Sequence, residues 1–117
     1  MFSSSPVKLF AGLGSSITLP CRLPSTDRMF YDTTGIRVKW TKVEDDEALN
    51  EDVLVSMGFH QKSFGSFKDR VFLEKSDDED ASLIISDISM EDMGEYHCEI
   101  INGMEDIVQV IFLELRR

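Results

Sequence analysis

Short runs in which apolar and polar residues alternate, each bounded by turn residues, limit this chain to one class of fold. In Ile36-Arg37-Val38-Lys39-Trp40-Thr41, an extended backbone sends Ile36, Val38 and Trp40 to one face and Arg37, Lys39 and Thr41 to the other. Ser16 to Cys21 repeats the pattern, turning Ile17, Leu19 and Cys21 inward, with Pro20, which has no N–H to give to a ladder, on the outward phase. Asp52 to Met57, Val71 to Glu74, Ser82 to Ile85, Glu95 to Ile101 and Ile107 to Leu115 have the β-branched and aromatic content of further strands. No apolar i, i+3, i+4, i+7 pattern lasts for an ordinary helix. The expectation is an all-β chain of at least seven strands. Turns are expected at 24–35, 44–51, Gly58, Gly65-Ser66 and 76–80, and Asn102-Gly103, two residues that accept positive φ, joins the last two strands as a hairpin.

The chain's 117 residues suit one core, so a single domain is expected over 1–117, with residues 1–6 as a flexible or extraneous lead. A formal charge of −10 disfavours nucleic acid, anionic membrane surfaces and polyanionic sugars at long range. The longest apolar stretch, Val110 to Leu113, is too short to cross a bilayer, and the first residues lack the basic and apolar regions of a secretory signal.

Two cysteines, Cys21 and Cys98, lie most of the chain apart, and alone they are weak evidence for a bridge, because two unrelated buried thiols are the commoner reading of such a pair. The segment Asp92-Met93-Gly94-Glu95-Tyr96-His97-Cys98 resembles the immunoglobulin pattern Asp-x-Gly-x-Tyr-x-Cys. That resemblance implies an immunoglobulin-like β-sandwich of two antiparallel sheets, joined by a Cys21–Cys98 disulfide. Trp40 would pack on the bridge, and Tyr96 would direct its hydroxyl to nearby backbone. Period two agrees, placing Tyr96, Cys98 and Ile100 on one strand face. The bridge requires an oxidising compartment, hence an extracellular location. The same family places an ion pair at the positions of Arg70 and Asp92. Room between Trp40 and Arg70 for two more strands, near Val53 to Met57 and Gln61 to Phe64, indicates the variable (V-set) type.

A narrower resemblance is carried by Val38 to Val43, Asp52 to Gly58, Ser63 to Phe67, Arg70 to Leu73, Asp80 to Leu83 and Cys98 to Asp106. These segments are similar to the N-terminal immunoglobulin domain of the hyaluronan and proteoglycan link proteins. Met93 stands where link proteins usually carry tyrosine, and Asp69 where they usually carry glycine. The resemblance implies association with a proteoglycan immunoglobulin domain in extracellular matrix. Hyaluronan binding, which belongs to link modules that this chain does not span, is not expected here. The alternative is the V-set domain of a cell-surface immune or adhesion receptor that binds another immunoglobulin-like protein, and a homodimer stays open. The Phe-Gly-x-Gly segment of antigen receptors does not occur in the last strand.

With Tyr96 and Cys98 inward, His97, Glu99 and Ile101 face out beside Arg37, Lys39 and Thr41, and these six form the expected partner-binding face. The run Ile107 to Leu113 is apolar on both phases, which in an antiparallel strand implies a partner on the outer side. A carbohydrate site would need a basic patch, with Arg37, Lys39, Lys42, Lys62 and Lys68 as candidates. No nucleophile–base set is evident beside the two histidines, His60 and His97, so no enzyme and no cofactor is expected. His97 with Glu99 offers too few ligands for a metal, and Asp77-Asp78-Glu79-Asp80 lacks EF-hand spacing and reads as a solvated turn.

Overall fold

The computed structural model describes residues 2–3, 5–22, 37–58, 60–74, 80–101 and 106–117. The expected turns at Asn102-Gly103 and 24–35, the inward Ile36 and residues 76–79 of the 76–80 turn lie outside the described residues. Among the described residues ten strands pack as two sheets: β1 (Phe2–Ser3), β2 (Val7–Ala11), β3 (Ile17–Leu19), β4 (Arg37–Val43), β5 (Glu51–Met57), β6 (His60–Ser63), β7 (Val71–Glu74), β8 (Ser82–Ile85), β9 (Gly94–Ile101) and β10 (Asp106–Leu115). The front sheet runs β1-β10-β9-β4-β5-β6 with β2 also on β10, and the back sheet runs β3-β8-β7. This is the immunoglobulin-like sandwich, with β5 and β6 as the two added strands of the variable type.

One detail departs from two wholly antiparallel sheets. Strands β1 and β2 both run parallel to β10, with Phe2 opposite Ile107 and Phe112 opposite Lys8, so the front sheet is mixed. Residues 2–3, expected within a flexible lead, are therefore paired to the last strand. Strand β2 escaped the sequence reading because its alternation is blurred. Ala11 is buried and Val7 and Leu9 are half-buried on the inner phase, but Phe10 is an apolar residue on the outer one, 48% exposed.

The core lies between the sheets. Trp40, Tyr96, Phe67, Leu19, Leu54, Leu83, Ile85, Ile100 and Ile111 are fully buried. Trp40 stands opposite Cys98 across the β4–β9 ladder, and its Nε1 donates to the Ala81 carbonyl at 3.0 Å, which ties the front sheet to the start of β8. The Cys21–Cys98 disulfide joins the two layers across 77 residues of sequence.

Strand β5 contains the irregularity that shapes the outer surface. Trp40 pairs with Leu54 but Thr41 pairs with Asp52, so Val53 is an extra residue and the ladder bulges there. Val53 and Leu54 are consequently both buried in succession. The phase then flips: Ser56 goes in, while Val55 and Met57 go out.

Candidate partner-binding face

The outward surface of the front sheet is assembled in rows by strand register. Across the first row run Asp106, Ile101, Arg37, Met57 and His60; across the second, Val108, Glu99, Lys39, Val55 and Lys62; across the third, Val110, His97, Thr41 and Asp52. The six residues expected from alternation thus occupy two adjacent columns, each β4 residue directly opposite its β9 counterpart. Arg37 is exposed and the other five are half-buried. Lys39 Nζ lies 3.7 Å from Asp52 Oδ1, and His97 Nε2 lies 2.6 Å from Glu95 Oε2. His97 therefore engages the glutamate preceding it on the strand; Glu99, following it, makes no ion pair among the described residues.

Apolar columns flank this polar centre. On one side the outer phase of β10 presents Val108, Val110 and Phe112, the last 36% exposed, with Phe10 of β2 beyond it. On the other, the bulge delivers Val55 and a 44% exposed Met57. The inner phase of β10 is satisfied by the core through Ile107, Ile111 and Leu113, so the outer phase accounts for the excess apolar content of that strand.

The lower end of the sandwich is closed by a polar cluster. Arg70 Nη1 and Nη2 donate to Asp92 Oδ2 and Oδ1 at 3.0 and 2.9 Å, a two-pronged pair. The same guanidinium donates to the carbonyls of Ser86 and Ser66. Asp92, buried, also accepts from the Ser89 N–H at 2.8 Å, and its own carbonyl accepts the Tyr96 hydroxyl at 2.5 Å. Burial opposes ionisation of Asp92, yet the donors from Arg70 and Ser89 hold its carboxyl below the usual range. The bond to Asp92 raises Arg70, and desolvation pushes the Tyr96 phenol well up. Both residues stay in their ordinary states at neutral pH.

A family model of the immunoglobulin V-set domain matches residues 4–111. The chain belongs to the immunoglobulin V-set domain family. Among solved structures this V-set domain is similar to Tim-4 in complex with phosphatidylserine, at 26% identity over 94% of this chain and 98% of that one, TM-score 0.71. It is similar to VGSC beta subunits analysed for multimeric cell-adhesive interactions, at 23% identity over 97% and 93%, TM-score 0.69. Murine CRIg matches at 16% identity over 96% and 94%, TM-score 0.74. V-set domains are binding modules, typically parts of extracellular ectodomains. No helix among the described residues is long and apolar enough to cross a membrane.

Lys42 of this V-set domain has a role that the sequence did not announce. Counted above among cations of a carbohydrate patch, it is instead buried on the inner phase of β4, where Nζ donates to the Glu91 carbonyl at 2.6 Å and lies 3.5 Å from Glu44. It is unavailable to a ligand, because its ammonium already satisfies the turn Met90–Asp92. Lys62 sits 5.3 Å from the Phe64 ring centre and shares a row with Lys39 across Val55. Asp80 also departs from the solvated turn assigned to it: it is buried, accepts the Ser82 N–H at 3.0 Å and bridges to Arg22 at 4.0 Å. Alternation could have flagged Lys42, which continues the phase of Val38 and Trp40.

Gly94 lies beside the Lys42 stem, but its backbone conformation is what calls for glycine. That glycine has φ +141°, and a Cβ on it would meet Lys42 Cε at 3.4 Å. Gly94→Ala is expected to cost about 1–3 kcal/mol through backbone strain. Thermal or urea unfolding checks this, and a loss below about 0.5 kcal/mol would mean that the backbone there relaxes freely.

Proposed function

We propose that this V-set domain is an extracellular protein-binding module that docks another immunoglobulin-like domain on the outer face of β10, β9, β4 and β5. The observation that carries the reading is the arrangement of that face, with apolar columns from β10 and β5 on either side of charges of both signs from β9 and β4. Aliphatic columns supply area to desolvate, while the central charges select orientation and partner. The reading agrees with a receptor or adhesion ectodomain, the setting of the VGSC beta subunits and their cell-adhesive interactions. Lipid recognition of the kind named for Tim-4 is disfavoured by the charge of −10.

A matrix link-type role is the second reading, and one backbone feature favours it. Asp69, at the position where link proteins usually carry glycine, has φ +68°, and Gly58 and Gly65, within the segments similar to link proteins, have φ +60° and +55°. The conformation at all three suits the link-protein residues. It also shows that the shared glycines serve turns, so they support common ancestry of the scaffold more than a common ligand.

Val110→Asp on the face and Thr18→Asp on the outside of the back sheet form the test. Each would be titrated by calorimetry against an aggrecan-type first immunoglobulin domain and against a panel of cell-surface immunoglobulin ectodomains. Val110→Asp is expected to weaken binding by about 30-fold or more, the effect of charging a desolvated contact, and Thr18→Asp to leave it unchanged. The reverse ranking would move the site to the other sheet. Binding only to the proteoglycan domain would select the matrix reading.

A further inference from the structure

We propose that the lower end of the sandwich is a second docking surface, which takes an apolar segment of another protein flanked by lysine or arginine. It is separate from the front-sheet face and does not depend on that reading. The turns 12–15, 44–50 and 86–93 lead out of β2, β4 and β8 at this end. On them stand Leu13, Leu49 and Met90, which at 58%, 63% and 54% are the most exposed large apolar residues among those described. Single exposed apolar side chains are ordinary, but three on adjoining turns mark a contact surface. The turns do adjoin. Gly14 N–H donates to the Ile88 carbonyl at 2.7 Å and Ile88 N–H to that of Ser15 at 3.1 Å, while Lys42 Nζ donates to the Glu91 carbonyl and lies 3.5 Å from Glu44. Each turn is also closed on itself, by Ser15 N–H to the Gly12 carbonyl at 3.2 Å, by Leu49 N–H to that of Asp46 at 2.8 Å, and by the capping pair of Ser89 and Asp92 around Met90. Side chains held on ordered turns lose little freedom when a partner covers them.

The charge around these residues selects the partner. Asp45, Glu47 and Glu51 flank Leu49 in sequence and Glu91 follows Met90; all four are exposed and make no ion pair among the described residues. Lys42 is matched by Glu44, and Arg116, whose N–H donates to the Ala11 carbonyl, stands with Arg117 on the Leu13 side. The acidic excess therefore lies around Leu49 and Met90. A second copy would bring the same carboxylates against these, and an anionic lipid surface would be repelled by them and by the net charge of −10. A cationic segment is attracted by both, and sets its apolar side chains over Leu49 and Met90 with its lysines or arginines against the surrounding carboxylates.

Titration of the full chain, labelled for amide NMR, with a peptide of about 18 residues built only of leucine and lysine in helical alternation tests the surface, beside a peptide in which serine replaces every leucine. The leucine peptide is expected to shift the amides of 12–15, 44–50 and 86–93 and to bind about 10-fold or more tighter than its serine counterpart. Leu49→Ser with Met90→Ser should weaken it by about 10-fold or more, as should Glu47→Lys with Glu51→Lys. Phe72→Ser, which removes a 51% exposed side chain from the back sheet, should leave it within about 2-fold. Equal affinity for the two peptides overturns the proposal, because charge alone would then attract them, and so do shifts confined to other surfaces or lower-end variants without effect. Self-association, or binding to phosphatidylserine vesicles, that the double serine variant abolishes would put a second copy or a lipid in place of the cationic segment and overturn it as well. Val110→Asp should leave the peptide affinity unchanged, so failure here and failure of front-sheet docking are read separately.

Discussion

Replacing Cys21 and Cys98 together by alanine is expected to lower the unfolding free energy by about 4.5 kcal/mol, the chain-entropy value for a closed loop of this length. The bridge spans 77 residues, so its removal returns to the denatured chain nearly all the freedom of a polypeptide this size. The half-cystines are also fully enclosed, Cys98 opposite Trp40 in the β4–β9 ladder and Cys21 held by an N–H···Oγ bond to Ser82 at 3.1 Å. Two small cavities against the indole would add to the entropic loss. Urea unfolding of the double variant, beside wild type with and without reductant, measures it. Equal midpoints under all three conditions would show that the hydrophobic core alone carries the sandwich.

Asp92→Ala is expected to cost about 3–5 kcal/mol, because it strands a guanidinium that otherwise donates twice to this carboxylate and leaves the Ser89 N–H without its acceptor. Arg70→Ala should cost at least as much, since the carboxylate it strands keeps 3% exposure whereas the guanidinium stranded by Asp92→Ala keeps 21%. The pair also imposes a pH dependence. The folded carboxyl titrates below its unfolded value, so the stabilisation is fully present above about pH 4 and is lost as pH falls through the folded value. Native stability should therefore decline below about pH 4, and Asp92→Asn should flatten part of that decline. Glu91, also held below its usual range by backbone and Ser89 hydrogen bonds, contributes a residue of slope. Urea midpoints at pH 7, 4 and 2.5 for both proteins decide the matter, and parallel profiles would assign the acid sensitivity elsewhere.

Much of the sandwich was legible in the order of residues, and the reason is local. A strand's two faces are set by period two, so Trp40, Tyr96, Cys98 and Ile100 had to share the interior once any one of them did. Strand β2 was missed because Phe10 puts an apolar side chain on the outer phase. Lys42 was misplaced because its ammonium invited a surface assignment, although its phase is inward. Asp80 was misplaced because its acidic neighbours suggested solvent, while Arg22 and the Ser82 N–H hold it inside.

Which outward residues stand side by side is a different kind of fact. Val55 and Met57 reach the surface only because β5 takes an extra residue beside Trp40, and nothing within Asp52 to Met57 marks that bulge. The neighbours of Lys39, which are Glu99 on one side and Val55 on the other, come from ladders between segments far apart in the chain. Alternation, a property of the backbone's own pleat, told inside from outside along most of the molecule. Adjacency on the outer face depends on register, and register is settled by how distant strands fit one another over a shared core.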